Sequence, residues 1–332
     1  MLSCRLSRIA GLLVGMMLVA AAFAASVMLG TTEIAPPTFA QALMHYDPSR
    51  VAHIIIVTER LPRAVIAALV GASLAIAGAL MQTMTRNPLA SPGILGINAG
   101  AMFFVVIAVS LLPLHAPADY VWAALLGGLV AACLVMMLSR GRQGELSPLR
   151  VVLAGVAVTA MFVSFSQGLL IIDRQSFESV LYWLAGSVSG RELSLVVPLL
   201  PLFGIALLLC TLLVRHANAL LLGDDMAEGL GMRAGTIKLL LGLAVILLAG
   251  SSVALAGMIG FVGLIVPHMA RGIFGVDHRW LLPACALLGA SLLLLADVAS
   301  RFLMAPQDVP VGVMTALIGT PFFIYLARRK QA

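Results

Sequence analysis

The chain has 332 residues, 61% of them hydrophobic and only 10% charged, with a mean hydropathy of +1.09. Composition excludes a soluble globular domain, which has no use for that much apolar surface, and points to a polytopic membrane protein. The formal net charge of +6 does not indicate nucleic acid, because the arginines are scattered at the ends of apolar segments. Cys4, Cys133, Cys210 and Cys285 show neither paired nor metal-like spacing. Three of them fall inside apolar runs, where packing is their expected role.

Apolar segments occur near residues 9–30, 62–84, 94–112, 120–139, 149–172, 193–214, 236–256, 258–270, 280–299 and 311–327. The expected fold is an all-α polytopic membrane protein of about ten transmembrane helices, one of them a short half-helix. Both termini then share one side. If that side is the cytoplasm, fourteen of the twenty lysines and arginines lie inside and six outside: Arg50, Arg60, Arg63, Arg174, Arg191 and Arg301. That is the positive-inside pattern.

The first segment admits two readings. Arg5, Arg8, an apolar run and Ala22-Phe23-Ala24 fit a cleaved signal peptide. The run continues to Leu29, however, long enough for a retained helix. The second segment, Pro62 to Met84, has 23 residues and rises about 34 Å as a helix, enough for a bilayer core of roughly 30 Å. Leu61-Pro62 reads as its start, since proline suits a first turn. Ala67, Gly71, Ala75 and Gly78 form a ridge of small residues that lets another helix approach closely. Arg86-Asn87-Pro88-Leu89-Ala90-Ser91-Pro92-Gly93 cannot continue a helix and reverses the chain at the membrane face.

Further on, residues 177–188, with Tyr182 and Trp183, are too short to span and suit an interfacial helix on the outer side. Residues 258–270 are also short and contain Pro267. A half-helix of this kind is tolerated at membrane depth only where protein or a cavity surrounds it. In the inner loop 216–235, Asp224 is placed to cap a short helix and Asp225 lies in its first turn, while Gly229 and Gly231 are placed to end it. Met226, Ala227 and Leu230 would give that helix one apolar face on a polar segment, as a protein partner requires.

Four motifs in order carry a resemblance over nearly the whole chain. They are RLPR with RNPLASPGILG (60–96), GMIGFVGLIVPHMAR (257–271), ADVASR (296–301) and PVGVMTALIGTPFFIYL (310–326). Together they resemble the membrane permease subunits of type II ABC importers for iron siderophores, haem and cobalamin. The resemblance implies one permease domain over 1–332 with a retained first helix, in the cell inner membrane. It implies a second permease subunit, identical or closely related, two cytoplasmic ATPase subunits, and a periplasmic or lipid-anchored binding protein. Loop 216–235 becomes the coupling loop seated in the ATPase, with Gly223, Asp224, Ala227, Leu230 and Gly231 matching. Arg60, Arg63 and Arg301 become docking sites for acidic residues of the binding protein. Asn87 and Leu89 become parts of a cytoplasmic gate. Ser147-Pro148-Leu149, expected to face that gate, departs from the small hydroxyl residues of the family pattern. NPLASPGILGIN and YWLAGSVSG are closest to members for ferric siderophores or ferric citrate, with haem and cobalamin as alternatives.

Other classes read less well. Lys238 and Lys330 are the only lysines and neither follows glycine, so there is no phosphate-binding P-loop. No cofactor is expected in this chain, ATP and Mg belonging to the partner ATPase. Ion-coupled transport needs ionisable relays at mid-membrane, whereas Glu59, Asp173, Asp297 and His268 fall near segment ends. An intramembrane metalloenzyme built on His268, Asp277 and His278 would have a spacing unlike any helical ligand pattern.

Overall fold

The computed structural model describes residues 4–30, 34–112, 117–141, 147–172, 180–181, 183–229, 231–304 and 307–329. Leu230, Arg174 and, within the expected interfacial helix 177–188, residues 177–179 and Tyr182 lie outside them. The helices, in chain order, are α1 (Arg5–Met28), α2 (Pro36–Met44), α3 (Val51–Ile55), α4 (Leu61–Thr85), α5 (Ile97–Ser110), α6 (Pro117–Leu138) and α7 (Pro148–Ile172). After these come α8 (Leu200–Leu220), α9 (Asp224–Gly229), α10 (Ala234–Ala256), α11 (Val262–Phe274), α12 (His278–Leu303) and α13 (Val311–Arg329). Among the described residues seven helical runs are long and apolar enough to cross a membrane. The three remaining apolar segments form shorter helices: Ile97–Ser110, Val262–Phe274 and Val311–Tyr325.

α4 is the centre of the bundle, buried along almost its whole length and packed by α12, α10 and α11. A helix that is apolar all round belongs in such a position. Its small residues explain how neighbours come so near. A Cβ built on Gly71 would lie 2.3 Å from Gly289 O in α12, and one on Gly78 would lie 1.9 Å from Gly263 O in α11. A second group, α5 with α6 and α7, uses the same device. There a Cβ on Gly100 would meet Gly127 O at 2.2 Å. Large apolar side chains on α1, α7 and α8, such as Met17, Leu153 and Leu208, remain exposed, as a membrane or a second subunit would require.

Two boundaries differ from the sequence reading. The helix expected to begin at Pro62 begins at Val51, running through a π turn at Ile56–Arg60 into α4. Pro62 has no N–H to give Thr58 O, and its ring would crowd that carbonyl in a regular helix. The widened turn relieves both problems, with Leu61 N–H donating five residues back to Ile56 O. The half-helix expected at 258–270 lies at 262–274. Gly257 (φ 73°) and Phe261 (φ 66°) both have positive φ, which breaks the helix before Val262. A positive φ at phenylalanine is strained. It is held by packing, because the Phe261 ring lies against Gly319 of α13, 2.3 Å from where a Cβ would stand.

Candidate functional site

At one end of the bundle, the end expected to face outward, the three arginines singled out by the sequence meet. Arg60, Arg63 and Arg301 line one cavity of about 280 Å³, together with Glu59, Ser189 and Asp308. Arg63 donates through Nε to Asp297 at 2.7 Å and through Nη1 to Asp308 at 2.6 Å. Arg301 pairs with Asp297 one helical turn before it, and donates to Ser26 O at 2.6 Å and Leu29 O at 2.9 Å. Arg60 donates to Val27 O at 2.9 Å and Met28 O at 2.8 Å. The last carbonyls of a helix have no partner of their own; here two guanidinium groups supply it and fasten α1 to α4 and α12.

This alters the docking expectation. The three arginines are not open cations, since each is at most 9% exposed and Asp297, Asp308 and Glu59 balance their charge. Asp297 is fully buried, where a carboxylate requires paired charge.

In the last turn of α4, the residue to which the sequence reading gave no role is Gln82. Pro267 cannot donate to Gly263 O, which leaves that carbonyl without its helical partner. Gln82 Nε2 approaches it at 3.3 Å, and Gln82 Oε1 accepts from Arg271 at 2.6 Å. One amide thus joins α4 to both ends of α11. A glutamine inside an apolar run, beside a proline-bearing half-helix, was the available signal.

At the opposite end of the bundle, Arg86 ends α4 in a left-handed turn (φ 50°). Asn87 Oδ1 then accepts from Leu89 N–H at 2.9 Å, which fixes the turn carrying both expected gate residues. Asn87 is exposed and Leu89 half-buried, while Leu149 in the segment expected to face them is exposed. Asp224 opens α9 and bridges Arg86 at 2.5 Å and Lys238 of α10 at 2.6 Å. α9 closes with Gly231 (φ 78°), whose N–H donates to Glu228 O, while Met232 N–H donates to Ala227 O. That is the Schellman arrangement. Gly223 precedes the helix at φ 119°. The expected apolar face is divided, for Ala227 is buried against the protein's own helices and Met226 is 59% exposed.

The histidines serve packing and tethering. His278 Nε2 lies 2.7 Å from Thr83 Oγ1 and its Nδ1 lies 2.7 Å from Asn218 Oδ1, linking α12 to α4 and α8. Asp277 caps α12 by accepting from Arg279 N–H and also accepts from Asn218. Burial would raise its carboxyl, but those two hydrogen bonds outweigh burial and hold it below the usual carboxylate range. His268 stacks edge-on to Phe322. Among the described residues no three His, Cys, Asp or Glu side chains converge as metal ligands.

Known proteins are similar to this chain over most of its length. The chain is 48% identical over 309 residues to the "Probable siderophore transport system permease protein YfiZ" of Bacillus subtilis, covering 93% of this chain and 92% of that one. It is 41% identical to the "Hemin transport system permease protein HmuU" of Yersinia pestis, covering 82% of each. A solved structure titled as an inward-facing conformation of a metal-chelate type ABC transporter superposes with a TM-score of 0.82 at 29% identity, over 96% of this chain and 98% of that one. The model of the FecCD transport family matches residues 17–329; a bundle built around α4, with a half-helix at α11 and a capped inner loop helix at α9, belongs to the FecCD transport family.

Proposed function

We propose that this chain is the permease subunit of an ABC importer that passes an iron(III) chelate, a ferric siderophore or ferric citrate, across the inner membrane. The observation that carries this reading is its likeness, over nine-tenths of the chain, to a permease named for siderophore transport. The chain itself makes and breaks no bonds. It pairs with a second permease subunit and offers α9, in loop 216–235 of a single domain, to a separate ATPase. A soluble binding protein delivers the chelate at the outer cavity, where Arg60, Arg63 and Arg301 share the rim with Glu59 and Asp308. Asn87 and Leu89 close the inner mouth. The test is uptake of radioactive iron as a ferric siderophore in cells with and without this gene; equal uptake overturns the reading. A haem cargo is the second reading, favoured by the 41% identity to a hemin permease, and the same cells supplied with haem decide between them.

The orientation follows from the arginine bias. In a cysteine-free background, Gln307→Cys should react with an impermeant thiol reagent in intact cells and Arg328→Cys should not. Both positions are exposed. The reverse pattern inverts the topology. Coupling is tested at Met226, the exposed apolar side chain of α9. Met226→Asp places a charge in the proposed contact and should weaken ATPase association about tenfold, as loss of a buried interface anchor does. Undiminished co-purification of the ATPase would remove α9 from the interface.

A further inference from the structure

A cavity of about 460 Å³ lies between α8 and α12, with Ile76 of α4 lining it. Its volume falls in the range of about 300–1,000 Å³ common to small-molecule sites. The walls are apolar, with Leu207 from α8 and Leu282 and Ala286 from α12. The polar lining is Arg215, His278 and Arg279 at one end, with Thr211 one turn further along α8. Chain direction explains this, because α8 runs towards loop 216–235 and α12 starts just beyond it, so Arg215 and Arg279 reach the same end of the cavity. Both arginines are exposed, and both border the cavity.

An apolar slot closed at one end by two guanidinium groups is complementary to an amphiphile with an anionic head. Leu207 is 45% exposed, so the slot is reached from the outer surface of the bundle and not through its core. Purely apolar cavities do not hold water well, and basic pockets between membrane helices on the cytoplasmic side are suited to acidic lipid headgroups. The nearby carboxylate of Asp277 accepts from Asn218 and the first turn of α12. It also feels the charge of Arg279, which leaves Arg215, among the described residues, as the arginine of the two without a carboxylate in that role. We propose that this cavity seats an acyl chain of an anionic phospholipid of the inner leaflet, with its phosphate held by Arg215 and Arg279. The choice of leaflet rests on the orientation proposed above; the site does not, and its test reads lipid binding without transport.

The probes are palmitoyl-oleoyl phosphatidylglycerol and the phosphatidylcholine with the same tails, offered to the purified full chain in detergent and followed by native mass spectrometry. Phosphatidylglycerol should be retained in preference to phosphatidylcholine. Arg215→Gln with Arg279→Gln should lower its affinity by about fivefold for each arginine, the equivalent of roughly 1 kcal/mol apiece. Arg215→Lys with Arg279→Lys keeps the charge and should keep the preference, which separates loss of the site from loss of fold. Ala286→Trp, filling the slot while leaving the arginines in place, should release both lipids. Equal retention of the two lipids by the unaltered chain overturns the proposal, as would an undiminished preference in the double glutamine variant. Displacement of phosphatidylglycerol by excess inorganic phosphate, or unchanged binding in Ala286→Trp, would show an anion contact without an acyl seat and overturn it equally.

Discussion

Gly78→Val should leave little folded protein in the membrane. The first carbon of any side chain at this position would stand 1.9 Å from Gly263 O, 2.5 Å from its carbonyl carbon and 2.5 Å from its Cα. All three atoms are backbone, so no side-chain rotation relieves the contact. Backing α4 away is no remedy, because α12 presses it at Gly71, where the corresponding distance is 2.3 Å. Overpacking of a close-packed interior costs about 1–3 kcal/mol and at times more, out of a total stability of about 5–15 kcal/mol. The upper end applies here, since two helices must separate. Gly204→Ala supplies the control: nothing lies within 4 Å of that position, so exchange of glycine for alanine in an exposed helix should raise stability by up to about 1 kcal/mol. Yield of monodisperse protein and the thermal unfolding midpoint in detergent measure both. A Gly78→Val variant with an unaltered midpoint would mean that α4 and α11 do not cross at this distance.

Asp297→Ala should destabilise the chain by about 3–5 kcal/mol, the cost of leaving a buried charge without its counterion. Two guanidinium groups lose their carboxylate at once, since Arg63 and Arg301 both bind Asp297. The change also loosens the outer end of α1, whose carbonyls Arg301 caps only while Asp297 orients it. Asp308→Asn is the matched comparison. Its side chain is 31% exposed, and a partly exposed pair is worth about 1 kcal/mol or less. Replacing Asp297, Arg63 and Arg301 together by leucine should cost less than Asp297→Ala alone, because no unpaired charge then remains buried. Should Asp297→Ala unfold at the same temperature as the unaltered chain, the cluster would be surface electrostatics and not a clasp.

Much of this architecture is legible from local pattern. Apolar runs of span length locate the long helices, and the proline and glycine cluster at 86–93 locates the reversal after α4. Capping chemistry reads locally in part: Gly231 closes α9 as its spacing implied, whereas Asp224, expected as the cap, is the first helical residue and turns its carboxylate to Arg86 and Lys238 while Gly223 O accepts the first helical N–H. What escapes is pairing at long range. Arg63 and Asp297 are 234 positions apart, and nothing near either residue in sequence names the other. The sequence therefore shows the arginines without the carboxylates and carbonyls that they bind within the chain. Backbone remedies for proline escape for a different reason. Pro62 signals an interruption, but whether a helix starts there or passes through a π turn depends on what packs around residues 51–60. Pro267 likewise hides the need for Gln82, because the lost hydrogen bond belongs to Gly263, four residues earlier, and its replacement comes from another helix. Ala227 shows the same limit on a smaller scale, since the sequence marks it as apolar without saying which way it turns.

The pinning of α4 at its two ends has a mechanical consequence. Arg86 ties its C-terminal end to Asp224, and Arg63 ties its N-terminal end to Asp297 and Asp308. Between them run about 35 Å of regular helix, with no proline beyond the first turn to act as a joint. Such a beam does not absorb displacement by bending or compression, because a packed interior yields little. Its tightest point of contact lies partway along, where Gly71 meets Gly289 and Gly78 meets Gly263. On the coupling role proposed for α9, a push there should turn α4 about that region as a lever about a fulcrum, so that its two ends are displaced in opposite directions.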